Sequence, residues 1–589
     1  MKQNPRSAIL FILVAALANN ATPASAFIGI QGKTNPSRSS SPRTLQHDHP
    51  LIKAPSASST TTSLEMAGGG GGLFASASEA VAPLFTPMVR RMLLVLGAAY
   101  LVLSKRLNKI LYPGSGSDPT SDAPLPPGSL GCPFLGKNVM AGSTEYGPSV
   151  FFNKARKKLG NPSIFKSFAF GLPMVSVSGK ENIKSVLKDE FSPTGVNTMM
   201  VSKNWGSIFG FESLLYEKDK MEHASLRRLV GSAMSPTSIA AAFPSIQAAA
   251  DAQMEKILSA DTIEMEDVCN DYTLDVAWRT ILGLDLVGED EVHTFHTMVK
   301  GWISGMFNPF FLLPFRFPFI KQTKAYKGHQ YLVSKVEEKL ADLEKNGPDG
   351  STLSAMYFAE DAEDNSKRLT HQQVIDNSLI LIIAGSETSA STLTCASLIL
   401  GLHPNVWAKV KEEQQTIQSQ YGDGLTKEIL DECTYLDSVL KETLRIKPIE
   451  GMEFRKTEKT LVVEGKQIPK GWLIFNNVKA THVNDPVLHT DDESHMDVRK
   501  GFNPDRWNDE ATKPSVWLPF GEGGRRCLGE RLAMTEMKIF LATLARKVDY
   551  DLVNVKSLDD EIKWKKMTAM ARPLDGAEIK PRAAVPLSG

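Results

Sequence analysis

A mainly helical fold with a smaller β subdomain is what three features of this sequence predict. Apolar residues recur at helical spacing through most of the chain after Pro124, and no second linker interrupts them. Strand-like runs are confined to residues 167–177 and 461–475, the second carrying an Ile468-Pro469-Lys470-Gly471 turn. Residues 375–400 form a long, strongly apolar stretch without proline, yet Glu387 sits at its middle, with Asn377, Ser386, Thr388, Ser389 and Thr392 nearby. An ionised group there is costly in lipid, so the stretch reads as a central buried helix with a polar notch, not a membrane span.

The 589 residues suffice for one large domain with extensions. Hydrophobic residues make up 42% and charged residues 22%, enough to bury a sizeable core. Basic and acidic residues number 66 each, so the formal net charge is zero. Residues 1–120 carry a net +7 and the remainder a net −7. A mildly acidic body argues against nucleic acid as a partner. The five cysteines, Cys132, Cys269, Cys395, Cys433 and Cys527, are too few and too scattered for a disulfide scaffold or a zinc module.

The first 123 residues read as address and anchor. Lys2 and Arg6 precede an apolar run too short to span a bilayer, and Ala24-Ser25-Ala26 follows, so residues 1–26 are expected to be a signal peptide. Residues 27–66 are rich in Ser and Thr, basic and nearly free of acids, a composition like that of a transit peptide and too poor in apolar surface to fold. Together the two parts resemble the bipartite presequences of secondary plastids; the alternative is a secretory signal with a linker, leading to the endoplasmic reticulum membrane. Residues 67–123 hold a glycine-rich spacer, a short anchor at 92–103 between basic pairs, and a linker. The anchor falls short of the ~20 residues a spanning helix needs, so a membrane-surface contact is expected. Residues 124–589 form the main domain.

The chemistry is concentrated around Cys527. The segment Phe520-Gly521-Glu522-Gly523-Gly524-Arg525-Arg526-Cys527-Leu528-Gly529 places four glycines around one cysteine. Glycine lets a backbone approach a flat ligand and leaves N–H groups to point at sulfur. Leu532, Ala533, Met537 and Phe540 follow at helical spacing, so Cys527 sits at a loop-to-helix junction, where amide donors and the helix dipole favour a thiolate.

With that loop, the chain from Pro124 onward resembles the haem-thiolate cytochrome P-450 monooxygenases. Five further motifs occur in the family's order: Pro126-Pro127-Gly128; His223 with Arg227 four residues on; Ala384-Gly385-Ser386-Glu387-Thr388-Ser389; Glu442 with Arg445; and Phe502-Asn503-Pro504-Asp505-Arg506-Trp507. His223 stands where many relatives have Trp. The strings Phe170-Gly171-x-Pro173 and Arg445-Ile446-Lys447-Pro448 through Arg455 look most like the branch that hydroxylates retinoids and sterol side chains.

The resemblance implies a cytochrome P-450 fold with haem b between the long central helix and the cysteine loop. Cys527 is the implied axial metal ligand, with Phe520 and Gly521 lining the cofactor. His223, Arg227, Arg455 and Arg525 match positions that bind haem propionates, as an anionic group in an apolar cleft requires. Glu442, Arg445 and Arg506 are implied to lock together and hold the cysteine loop. Glu387 and Thr388 are implied to deliver protons to the oxygen site, and Gly385 with Thr388 points to a local break in the helix. Glu450 and Glu453 fall in a segment that borders substrate in the family.

The expected function is insertion of one atom of dioxygen into a hydrophobic, isoprenoid substrate such as a sterol, retinoid or carotenoid fragment. The electron donor is expected to be of ferredoxin type in a plastid and a diflavin reductase at the endoplasmic reticulum. The alternatives are a haem-thiolate isomerase or dehydratase, against which Thr388 argues, and a non-catalytic haem carrier.

Overall fold

The computed structural model of the chain describes residues 116–130, 147–169, 172–188, 190–191, 195–198, 203–307, 319–449, 454–565 and 570–584. The segments read as signal, transit peptide and anchor lie outside these residues, as do Phe170, Gly171, Glu450 and Glu453.

Helix α1 (Gly147–Lys157) leads into the hairpin β1 (Ile164–Ala169) and β2 (Leu172–Val177), then α2 (Lys180–Leu187), β3 (Val196–Thr198) and α3 (Lys203–Phe209). Next come α4 (Lys220–Ser232), α5 (Pro236–Leu258), β4 (Ile263–Glu264) and α6 (Met265–Val276), which continues as a π-helical turn, Ala277–Ile281. Helices α7 (Glu289–Ile303), α8 (Lys324–Asn346) and α9 (Thr352–Tyr357) precede the longest, α10 (His371–Leu402). Then follow α11 (Pro404–Tyr421), α12 (Lys427–Glu432), α13 (Thr434–Ile446), β5 (Phe454–Thr457), β6 (Leu461–Val463), β7 (Lys466–Ile468), β8 (Leu473–Asn476) and α14 (Val478–Val483). The chain closes with α15 (Glu530–Lys547), β9 (Val548–Leu552) and β10 (Glu578–Ala583).

Five strands form the main sheet in the order β1-β2-β8-β5-β3; β2 and β8 are parallel and the other pairs antiparallel. The strand run expected at 461–475 is three short strands, because Glu464 and Gly465 take positive φ and turn β6 into β7 before the expected turn at Gly471. Residues expected to be linker are already attached. Asp118 N–H donates to the Gln467 amide oxygen, and Gln467 N–H donates to the Pro124 carbonyl at 3.0 Å, so the main domain includes Asp118.

The central helix is formed as its sequence predicts. Thr370 and Gln373 make a reciprocal capping box at its start. Four of its hydroxyls bond within the helix: Ser386, Thr392, Thr394 and Ser397 each donate to the carbonyl four residues back. Among the described residues α10 alone is long and apolar enough to cross a membrane, and 67% of its apolar window is buried inside the protein. Its two halves serve different apolar clusters. Val374, Ile375, Leu379, Ile382 and Ile383 pack with α3, α4, α7, α8 and α9. The half from Ala390 to Leu402 packs with α5, α6, α11, α13 and α15. The polar notch at residues 384–389 lies between them.

Candidate active site

The notch and the cysteine loop meet the same seam. Leu381, one turn before the notch, and Leu528, beside Cys527, each pack against both apolar clusters. Between the two largely buried halves of this helix Ala384 is exposed. Cys527 is the one exposed cysteine among the described residues. It opens on a cavity of about 280 Å³ lined by Gly231, Met234, Ser235, Leu528, Glu530 and Arg531. A 3-10 turn (Gly523–Arg525) precedes the thiol and α15 follows it. The Cys527 N–H donates to the Phe520 carbonyl at 2.9 Å and closes the loop. The surrounding protein desolvates the thiol and raises its pKa, which the Gly529 N–H and Arg227 only partly offset.

The glycines work differently from the sequence expectation. Gly524 packs against a side chain: a Cβ there would stand 2.7 Å from Phe191 Cε2. Gly523, at φ +80°, lies against Leu187 and Glu190. Gly521 takes φ +74° at the turn after Phe520, whose ring sits edge-to-face with Trp517 at 5.7 Å.

Four basic side chains converge on the segment after α2. Arg455 Nε donates to Glu190 Oε1 at 2.5 Å. Arg525 lies over the Phe191 ring at 4.4 Å and donates to the carbonyls of Leu214, Leu215 and Glu217. Arg227 Nη2 donates to the Arg526 carbonyl at 2.7 Å, tying α4 to the cysteine loop. His223 is 3% exposed and stacks on Phe191 at 4.2 Å. Burial, with Arg525 and Arg227 adding to it, pushes the imidazole down to about 3, so His223 is neutral and offers a hydrogen bond, not a charge.

One buried carboxylate, Glu190, serves the three guanidiniums. Arg525 is held down to about 10, chiefly by burial and then by Arg455, and its buried Nε makes no hydrogen bond. Two unbalanced positive charges and an orphaned donor fit a dianionic ligand, as the two propionates of haem require.

Glu442 is fully buried and accepts five hydrogen bonds. Arg445 binds it through Nε at 2.8 Å and Nη2 at 2.9 Å. Arg506 Nε donates at 2.9 Å, Trp507 Nε1 at 3.1 Å and the Asn503 N–H at 3.2 Å. Arg445 also reaches the His495 carbonyl at 2.6 Å. The three residues expected to meet do so, and the carboxylate's lone pairs are filled.

Thr388 and Glu387 depart from the expectation. The helix is unbroken through residues 384–389, and Thr388 Oγ1 turns back to donate to the Ala384 carbonyl at 2.7 Å. The irregularity lies next door: Ile281, in the π-helical turn after α6, is the neighbour that a Cβ on Gly385 would meet, at 3.7 Å. Glu387 does not reach Thr388; its Oε2 accepts from Arg572 Nη2 at 2.8 Å. Glu190, Arg572 and His482 (see below) belong to no spacing pattern. Their partners lie 265, 185 and 37 residues away, and only the fold brings them together.

The cytochrome P450 family model matches residues 126–576. This chain belongs to the cytochrome P450 family. It is 30% identical over 464 residues to chicken (Gallus gallus) cytochrome P450 26A1, covering 75% of this chain and 88% of that protein. It is 29% identical over 444 residues to abscisic acid 8'-hydroxylase 1 of Arabidopsis thaliana, covering 74% and 87%. Among solved structures, a retinoic acid-bound cyanobacterial CYP120A1 superposes with a TM-score of 0.65 at 26% identity, covering 79% of this chain and 100% of that one. The fold is that of the cytochromes P450, and the chain is a haem b monooxygenase.

Proposed function

We propose that this P450 hydroxylates an isoprenoid substrate, of the carotenoid-derived acid class, at a plastid membrane. The reaction consumes a substrate C–H bond, dioxygen, two electrons and two protons, and yields an alcohol and water. The observation that carries the reading is the seam where an exposed cysteine and the polar notch of the central helix, exposed at Ala384, border the same two apolar clusters. The side chains packed on either side of it are apolar, as an apolar substrate would need. The relatives narrow the class: retinoic acid and abscisic acid are both isoprenoid carboxylic acids.

In this reading Cys527 holds the haem iron, and Arg227, Arg455, Arg525 and His223 hold the propionates. Haem with a thiolate ligand supplies the activation of dioxygen. The chain's own work is to orient and protonate. Glu442, Arg445 and Arg506 fix the approach to the cysteine loop. Thr388 presents a hydroxyl at the notch, and Glu387, released from Arg572, brings a proton to it.

The two-part N-terminal composition and the basic-flanked apolar run at 92–103 support a plastid address and a membrane contact. A ferredoxin-type donor follows from that address. The test is a spectral binding screen of retinoids, abscisic acid and sterols on the holoprotein, then turnover of any binder under ¹⁸O₂. One labelled atom in the product, dependent on an electron donor, is expected; donor-independent conversion would make it an isomerase or dehydratase. A reporter carrying residues 1–66 is expected in the plastid, and one carrying 1–26 in the secretory route.

A further inference from the structure

Between the buried Glu442–Arg445 pair and the cysteine loop stands one imidazole. His482, in α14, is completely buried. Its Nδ1 is 3.0 Å from the Arg445 carbonyl, and the Leu518 N–H approaches its Nε2 at 3.0 Å. A carbonyl only accepts and an amide N–H only donates. The proton is therefore on Nδ1, Nε2 is a bare acceptor, and the ring is neutral. No other protonation state satisfies both partners.

These two bonds complete a path. Arg445 is clasped by Glu442; its carbonyl takes the His482 proton; His482 takes the Leu518 N–H. The Leu518 carbonyl then accepts the Gly521 N–H at 3.1 Å, and Phe520 next to it accepts from Cys527 at 2.9 Å. Asp485, two residues beyond α14, holds the same stretch. It accepts from Ser515 Oγ at 3.1 Å and from the Val516 N–H at 2.7 Å. Trp517 Nε1 reaches the Lys441 carbonyl of α13 at 3.2 Å. Residues 515–518 are thus pinned at four points before the chain turns into the loop.

We propose that His482 is a positioning residue that sets the cysteine loop against the Glu442–Arg445 pair, and that it does so only as the neutral Nδ1–H imidazole. The proposal rests on Cys527 being the haem ligand. A second proton on Nε2 would face the Leu518 N–H, donor against donor, and detach the loop's approach. The charged groups that act on the ring are Arg445 and Glu442 from α13 and Asp485 beyond α14. His495 lies nearby and is itself pushed down by burial and by Arg445. Burial dominates and His482 falls from 6.5 to about 4, although the Arg445 carbonyl, Asp485 and Glu442 favour protonation; the Arg445 guanidinium opposes it. A histidine depressed in the folded state stabilises the fold above its unfolded pKa, and that stability fades as pH falls from 6.5 toward about 4.

The test is the reduced carbon monoxide spectrum of the full-chain holoprotein against pH, for wild type, His482→Asn and His482→Phe. Asparagine keeps one donor and one acceptor but cannot titrate. Wild type is expected to show the red-shifted thiolate band at neutral pH and to lose it within the window between 6.5 and about 4. His482→Asn should keep the band and extend it to lower pH. His482→Phe should retain haem yet show mostly the blue-shifted form. A full thiolate band in His482→Phe would overturn the positioning role, and an unchanged acid midpoint in His482→Asn would overturn the requirement for a neutral ring. A wild type without the band at neutral pH would sink the Cys527 reading and this one with it.

Discussion

Arg572 Nη2 lies 2.8 Å from Glu387 Oε2 and joins the end of the chain to the centre of its longest helix. The same guanidinium reaches Glu266 Oε1 at 3.1 Å and Asn270 Oδ1 at 3.3 Å on α6, and Lys565 shares Glu266 at 2.9 Å. The main chain beside it is held too: Ser391 Oγ donates to the Ala571 carbonyl at 2.9 Å. Arg572 is 9% exposed, so the acid of the notch is neutralised in place by a cation that no motif announces.

Removing Arg572 strands Glu387, and removing Glu387 leaves Arg572 with Glu266 as its one carboxylate, while removing both strands neither. Arg572→Gln and Glu387→Gln should each lower stability by about 1–3 kcal/mol. The double variant should cost less than the sum of the two. Denaturant midpoints of all four proteins check this; strict additivity would mean that the contact contributes nothing.

The Glu442 network should be less forgiving. Glu442 is fully buried with five donors aimed at it, and Arg445 is 1% exposed. Glu442→Ala leaves uncompensated guanidiniums, and Arg445→Ala leaves a carboxylate short of its bidentate partner, at about 3–5 kcal/mol each. Neither variant is expected to accumulate as holoprotein. Haem content per protein after purification is the measurement.

Cys269, Cys395 and Cys433 are buried, and burial raises all three thiols. Alanine at any of them should preserve the red-shifted carbon monoxide band, whereas Cys527→Ala should abolish it. A surviving band in Cys527→Ala would remove that residue as the ligand.

Much of this was legible before the fold, for physical reasons that differ by element. The central helix announced itself because a long apolar run without proline buries best as one helix, whose own carbonyls can take internal hydroxyls such as those of Ser386, Thr392, Thr394 and Ser397. Glu442 and Arg445 lie one turn apart, so their pairing is local and readable from spacing. Arg506 needed the resemblance, because 64 residues separate it from Glu442. Glu190 was invisible: it sits in an unpatterned stretch, and only the sheet brings Arg455 to it through β5. The helix break expected at the notch did not form, and the Thr388 hydroxyl turns back onto its own ladder.

Stability should also fall on the alkaline side. His296 on α7 sits between Asp275, 3.1 Å from Nε2, and Asp271, 3.4 Å from Nδ1. Burial alone would lower its pKa, but the hydrogen bonds and charges of the two aspartates outweigh it and leave it raised. A raised histidine contributes fully below its unfolded value and loses that contribution as pH climbs through the folded one. The denaturant midpoint should therefore decline as pH rises past about 6.5. His296→Gln should flatten that decline, and an equal slope in both proteins would rule His296 out as its source.

Thr388→Ala should leave haem content and substrate binding intact and uncouple electron use from product. The hydroxyl donates to Ala384 at 2.7 Å, a bond the helix does not need, since the backbone ladder already runs through that turn. What it adds is a polar group beside an exposed alanine in the long apolar central helix. In the proposed reaction this group passes a proton toward the oxygen site, and general acid catalysis of that kind is worth ~10²–10⁴-fold. Glu387 reaches the same place only by leaving Arg572, so the two residues act in sequence. Removing the hydroxyl should send reducing equivalents into hydrogen peroxide, whereas Arg572→Gln, which frees the acid, should leave Thr388 in place and spare coupling. The measurement is product and peroxide per electron pair for wild type and both variants. If Thr388→Ala is as well coupled as wild type, the hydroxyl serves only its own helix. The proton must then come through another group, and the donor-independent reactions that need no proton delivery regain ground.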